Sequence, residues 1–189
     1  MAELKRFPLR EHPKSVAFTE RLPLITATIS GWEDKNKSLK DVIKQSGRRD
    51  VEGTNLVAHR TGWNMYQKGR AGEALFQELC EIACHFSAEH SPTDDFVPLV
   101  TSCWGAIYGQ GDFARPHDHW PSVWSFVYFA DVGESPSPLV FPNAKRAIKP
   151  RNSMFCLFPG WALHEVPPQQ SASERVMVAG NINHNSKLS

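Results

Sequence analysis

The chain has 189 residues, with 21 Lys and Arg against 20 Asp and Glu, and 41% of its residues are hydrophobic. That length suits one domain able to close a core around a buried site. Near-neutral charge, with no long block of either sign, excludes a surface built to attract nucleic acid or anionic lipid.

The opening stretch "MAELKRFPLREHPK" is charged and lacks an apolar run of signal-peptide length. No later segment approaches the ~18 uninterrupted apolar residues of a membrane span. The expectation is a soluble, cytoplasmic protein. Four scattered cysteines, Cys80, Cys84, Cys103 and Cys156, do not make a secreted disulfide framework, in keeping with a reducing compartment.

In chain order, "FTERLPLITATIS" (18–30) predicts a strand around Leu24 to Ile29, and "KSLKDVIKQSG" (37–47) a short helix with Ser38 as N-cap and Gly47 as stop. The clearest helix is 70–90, where Leu75, Phe76, Leu79, Ile82, Ala83 and Phe86 repeat at helical spacing and make a stripe fit to lie on a sheet. Cys80 and Cys84, four apart on this helix, read as small apolar side chains at its buried face in preference to half a metal site. From Asp95 onward the texture is short β-rich runs broken by Pro and Gly: "FVPLVTSCWGAIYG", "SVWSFVYFA", "PLVF", "AKRAIK", "SMFCLFP" and "RVMVAGNIN". "GESPSP" (133–138) is a tight loop between strands. The expected class is α+β and mainly β: a sandwich or barrel with the long helix buttressing one sheet. Residues 1–189 then form a single domain, with a strand-and-helix buttress over about 1–93 and a β core over about 94–185.

Chemistry concentrates in "ARPHDHW" (114–120). Side chains alternate along a strand, so His117 and His119 would face one side and Asp118 the other. A third imidazole follows in "FPGWALHEV", where Pro159 and Gly160 mark a turn before His164. This pattern points to a metal held by His117, His164 and either His119 or Asp118. His12, His59, His85 and His90 read as ordinary surface or hydrogen-bonded histidines. Arg175 opens the last apolar run, and a basic residue at the start of a buried strand needs a carboxylate beside it, from the protein or from a bound acid. Gln110, Gly111 and Asp112 read as a turn.

The stretches "WGAIYGQGDFARPHDHWPSVWSFVYF", "FCLFPGWALHEVPP" and "SERVMVAGNIN", taken in this order, resemble the iron(II)- and 2-oxoglutarate-dependent oxygenases, and within them the small bacterial and phage group of 2OG-Fe(II) oxygenases. "GTNLVAHRTGWNMYQ" (53–67) extends the likeness upstream. The resemblance implies a double-stranded β-helix (a cupin-like jelly roll) with iron(II) at its mouth. His117 would be the first ligand, His119 or Asp118 the second and His164 the third, while Arg175 would bind the far carboxylate of 2-oxoglutarate. It further implies use of O2, release of succinate and carbon dioxide, and hydroxylation of a small-molecule or amino-acid-like substrate.

Two positions depart from the broad superfamily. His119 stands where an Asp is usual, so the ligand set would be three neutral imidazoles. Asp118 would then accept a proton from a ligand imidazole or pair with Arg115. Met177 and Ala179 stand where a Ser is usual after the Arg, leaving Tyr108, Tyr128 or Asn181 to help hold the cosubstrate. Arg115, Trp120, Trp104 and Trp124 are candidate substrate contacts, and Trp63, Trp161 and Phe126 add aromatic surface beside the motifs. Two other readings remain: a cupin-type three-histidine dioxygenase or isomerase that uses no 2-oxoglutarate, and a non-catalytic jelly-roll module with a structural metal. An exposed edge strand could pair two copies into a homodimer.

Overall fold

The computed structural model describes residues 23–50, 54–91 and 95–186; His12 and residues 18–22 of the early strand-forming stretch lie outside them. The chain runs β1 (Ile25–Thr28), α1 (Glu33–Ser46), β2 (Arg48–Asp50), β3 (Leu56–Arg60), α2 (Glu73–Glu89), β4 (Phe96–Tyr108), β5 (Phe113–His117), β6 (Trp124–Asp131), β7 (Leu139–Phe141), β8 (Arg146–Ile148), β9 (Met154–Pro159), β10 (His164–Val166) and β11 (Arg175–Ser186). The long helix falls where its stripe predicts. The shorter one begins earlier than expected: α1 starts after Trp32, and Ser38, inside the helix, turns its hydroxyl back onto the Asp34 carbonyl. Gly47 does end it, donating its N–H to the Ile43 carbonyl.

Every registered strand pair is antiparallel, in the order β1-β9-β6-β11-β4-β3-β5-β10-β7-β8, with β2 beside β3. β3 is the corner. Its His59 and Arg60 pair with β4 while its Leu56 and Val57 pair with β5, so the sheet curls over and the two halves face each other. The result is a cupin-like double-stranded β-helix with a helical buttress. Its sheet draws on both segments of the chain, since β1, β2 and β3 all come from the first 93 residues.

Alternation sorts the strands' side chains into two cores. On β6, Trp124, Phe126, Tyr128 and Ala130 turn outward and pack with Leu39 and Ile43 of α1 and with Phe76, Leu79, Cys80 and Ala83 of α2. Val127 and Phe129 turn inward, to meet Trp104, Ala106 and Tyr108 of β4, Cys156 and Phe158 of β9, and Met177 and Ala179 of β11. Fully buried residues such as Phe76 and Leu79 each contribute about 2 kcal/mol by leaving water. Gly105 of β4 lets α1 approach the sheet closely, because a Cβ there would overlap the Ile43 side chain. The four cysteines are free thiols; Cys80, Cys103 and Cys156 are buried and Cys84 is half-buried.

Candidate metal centre

β5 and β10 are antiparallel neighbours, and His117 and His164 are direct partners across them. This register, set 47 residues apart in the chain, brings the two imidazole centroids to 4.3 Å. His119 reaches the same place by a different route from simple alternation. β5 ends at His117, and the chain folds back through a turn in which Asp118 Oδ1 accepts the Trp120 N–H, His119 donates its N–H to the Gly160 carbonyl and Ser122 donates to the His119 carbonyl. The His119 ring then lies 5.0 Å from each of the other two. One nitrogen from each of His117, His119 and His164 falls within 4.8 Å of the others, a spacing able to hold one metal ion.

The outer nitrogens fix the tautomers. His117 Nδ1 lies 2.6 Å from the Arg115 carbonyl and His164 Nδ1 lies 2.8 Å from the Ala162 carbonyl. A carbonyl only accepts, so Nδ1 carries the proton in both rings and Nε2 keeps its lone pair for the metal. Burial holds the imidazoles neutral. Desolvation pushes His119 down to about 4 and His164 to about 3, with neighbouring His117 adding to both, and it lowers His117 as well. Asp118 is exposed and caps its own turn, outside the cluster. The part foreseen for it beside the ligand rings is taken for His117 and His164 by backbone carbonyls.

The three rings border a cavity of about 440 Å³ between the two halves of the sheet. On the same cavity, at the start of β11, Arg175 is 1% exposed, and its Nε and Nη1 have no acceptor among the described residues. The guanidinium lies over two rings, 4.9 Å from Tyr108 and 5.1 Å from Phe129. Burial lowers its pKa and pushes the Tyr108 phenol up to about 12, so Tyr108 keeps its proton as a donor beside the arginine. No carboxylate of the described residues pairs with Arg175. A buried guanidinium in that state calls for an anionic guest, and a carboxylate fits its planar fork.

Other residues singled out in the sequence separate cleanly. Trp104, Trp63, Tyr108, Met177, Ala179 and Asn181 line the cavity. Tyr128 does not: an even position on β6 faces the helices, and its hydroxyl donates to Asn36 Oδ1 of α1. Trp124, on the same face, belongs to that outer core. Arg115 is exposed, its guanidinium 6.0 Å from the Phe113 ring, and Trp120 is 74% exposed; neither lines the cavity. Trp161 is exposed and does not line the cavity. Asp112 is the turn residue expected, accepting the Gly109 N–H and pairing with Arg49. His59, His85 and His90 make local contacts to Ile43, Glu89 and Phe86.

Asn181 stands well apart from Arg175 along β11. It and Arg175 face the same interior but stand six residues apart on β11, roughly 20 Å at strand rise. Between them lies Ala179, the partner of Trp104, whose indole meets the His119 ring edge-on at 6.0 Å. The metal level therefore separates the arginine end from the asparagine end. Two residues passed over in the sequence, Ser102 and Ser125, join Asn181 there: Ser125 donates to Asn181 Oδ1 at 2.8 Å, and Asn181 Nδ2 donates to Ser102 Oγ at 3.0 Å. The signal for Ser125 was a hydroxyl on the inward face of "VWSFVYF", in register with Val127 and Phe129.

No known family profile matches the chain, and no curated protein matches it by sequence. Solved structures do match in fold. An oxidoreductase of the 2OG-Fe(II) oxygenase family from Burkholderia pseudomallei superposes with a TM-score of 0.65 at 11% identity, covering 86% of each chain. A Pseudomonas putida prolyl-4-hydroxylase gives 0.64 at 14%, covering 86% of this chain and 93% of that one. The viral collagen prolyl hydroxylase of Paramecium bursaria Chlorella virus-1, solved with 2OG, gives 0.59 at 15%, covering 83% and 94%. The chain shares its fold with these three proteins.

Proposed function

We propose that this chain is an iron(II)- and 2-oxoglutarate-dependent oxygenase of the small bacterial and phage type, with His117, His119 and His164 as ligands and Arg175 as the anchor of the cosubstrate. One observation carries the reading: a three-imidazole cluster and an unpartnered, buried guanidinium open onto the same cavity. Each alone has a simpler explanation, but together they supply a place for a metal and a counter-charge for a keto acid within its reach. The donor set fits iron(II), which imidazole suits, and leaves coordination positions for further ligands.

Bound iron(II) would supply activation of O2 coupled to oxidative decarboxylation of 2-oxoglutarate, giving succinate, carbon dioxide and a hydroxylated product. The chain's own residues do the rest. Arg175 neutralises the far carboxylate and Tyr108 donates beside it, fixing the direction in which the acid enters. The Arg115 and Ala162 carbonyls hold two ligand rings in the tautomer that presents Nε2. The apolar walls of Leu139, Val127, Phe158 and Val166 keep water from the reacting centre. The substrate is a small or amino-acid-like molecule of a size to enter the cavity. We further propose a cytoplasmic enzyme that works as a single domain, paired into a homodimer along an open sheet edge; no helix of the described residues is long and apolar enough to cross a membrane.

The test is anaerobic. Iron(II)-loaded protein is mixed with 2-oxoglutarate and the visible charge-transfer band of a chelated keto acid is recorded. The expected band disappears in His119→Ala and persists in Asp118→Ala. Iron-loaded wild-type protein without a band would refute the reading in favour of a three-histidine enzyme that uses no 2-oxoglutarate.

A further inference from the structure

Arg175 lacks the device that usually fixes a buried guanidinium. No carboxylate of the described residues pairs with it, and the Tyr108 and Phe129 rings attract a cation without setting the direction of its N–H groups. Its place must therefore come from the backbone that carries it. That backbone is a strand end: Arg175 opens β11 and pairs with Tyr108, the last residue of β4. On the other side the ladder is irregular, since Val176 pairs with Asp131 and Met177 with Phe129, which leaves Ala130 of β6 as an extra residue. Strand ends with broken ladders open readily unless something else ties them.

The tie lies on the outer face of the sheet. Side chains alternate along a strand, so Arg175 and Met177 turn inward while Glu174 turns toward the helices, as Val176 does. There the Glu174 carboxylate meets Lys40 at 3.1 Å and Lys44 at 3.0 Å, both on α1, and Lys40 also reaches Asp131 of β6 at 3.0 Å. Lys40 thus bridges the two strand ends that the bulge leaves out of step. Asp131 is itself oriented, its other oxygen accepting the Gly133 N–H at 3.2 Å. Gly133, at φ +59°, lets the chain after β6 lie flat on the approach to Arg175: a Cβ there would stand 2.6 Å from the Ser173 Cβ and 2.8 Å from the Glu174 carbonyl oxygen. The Lys40 and Glu174 side chains are 28% and 38% exposed, so solvent screens each pair, and the pairs matter as one network joined through Lys40.

Resting on the oxygenase reading, we propose that Lys40 is a positioning residue for the cosubstrate: by tying Glu174 and Asp131 to α1, it holds the Arg175 guanidinium where the far carboxylate of 2-oxoglutarate arrives. Lys40 does not line the cavity and touches neither the acid nor the metal ligands. Its effect is preorganisation, since a grip already in place loses less freedom when the acid binds. That effect falls only on acids that carry a far carboxylate.

The probes are 2-oxoglutarate and 2-oxobutanoate, which present the same keto-acid head to a metal, the second having no far carboxylate. Each is titrated anaerobically into iron(II)-loaded full-length protein and followed by the charge-transfer band. Lys40→Met should weaken 2-oxoglutarate about fivefold, the scale of a screened ion-pair network, and leave 2-oxobutanoate unaltered. A general loss of structure would weaken both acids alike. Lys40→Arg should restore the preference, and Lys37→Met, on the same helix but paired only with Asp34, should not disturb it. A second readout needs no metal. In metal-free protein labelled with 15N at arginine, the Arg175 Nε–H, assigned by its absence from Arg175→Met, should exchange with water about fivefold faster in Lys40→Met. Wild-type acid preference in Lys40→Met, or wild-type exchange, overturns the proposal. Failure of the oxygenase reading looks different: wild-type protein would show no band with either acid. Faster exchange in Lys40→Met would then uphold Lys40 as the tie on Arg175 and refute the oxygenase, while unaltered exchange would refute both.

Discussion

Replacing Arg175 with Met should move two properties in opposite directions. The guanidinium is 1% exposed and two of its nitrogens have no acceptor among the described residues, which leave it a desolvated charge without a counter-charge. Exchanging such a group for an apolar side chain of similar length is worth about 2 kcal/mol of stability, within the range seen when buried ionic groups are replaced. For a domain of this size that raises the thermal midpoint by roughly 4–8 °C. With 2-oxoglutarate the sign reverses. The variant loses a two-pronged, charge-assisted grip on a carboxylate, about 3–4 kcal/mol, or several hundredfold in affinity. The assays are thermal unfolding of metal-free protein and titration of the charge-transfer band. A variant that is destabilised yet binds 2-oxoglutarate normally would refute the reasoning and make Arg175 an internal structural residue.

Removing a ligand should separate His119 from Asp118: His119→Ala should weaken metal binding by at least 100-fold in a chelator competition, and Asp118→Ala by less than tenfold. Tyr128→Phe should lower stability by about 1 kcal/mol in urea unfolding, through its lost bond to Asn36, and leave 2-oxoglutarate affinity unaltered. The metal-free protein should also be acid-labile. Above pH 6.5 the three ligand histidines are neutral whether the chain is folded or not; below it the unfolded chain takes up protons that the folded one resists. Stability therefore falls as pH drops from 6.5 toward 4, where His119 begins to protonate in place, and on toward 3 for His164. The slope is at most about 1.4 kcal/mol per pH unit for each histidine. Denaturant midpoints that stay level between pH 7 and 5 would contradict this.

The parts of the molecule that sequence made legible are those governed by local periodicity. The α2 stripe, the β-rich second half and the opening of β11 at Arg175 all follow from spacing and alternation. His117 and His164 could be paired because a turn signal stood before the second of them. Alternation also holds the information that Tyr128 and Trp124 face away from the chemistry, since both share a parity with Ala130 on the helix side of the sheet. Deciding which parity faced inward required α1 and α2 to be set against that side of the sheet, a tertiary fact. His119 was assigned to the right cluster for an incomplete reason, because the turn that swings it inward depends on Gly160, which is distant in the chain. Asn181 is a candidate in the sequence for the part of the missing serine, whereas an extended strand sets it six residues, roughly 20 Å, from Arg175.

The direct pairing of His117 with His164 makes an ion at this centre a cross-link as well as a reagent. It would tie two strands 47 residues apart, and closing a loop of that length in the unfolded chain is worth about 4 kcal/mol by the entropy argument applied to disulfides. The benefit falls unevenly. Both helices pack against the sheet half formed by β4, β6, β9 and β11, while β5, β10, β7 and β8 have no such backing in the described core. Loading should therefore slow amide exchange most in those four strands, so that the half of the barrel which cradles the ion is also the half that the ion holds closed.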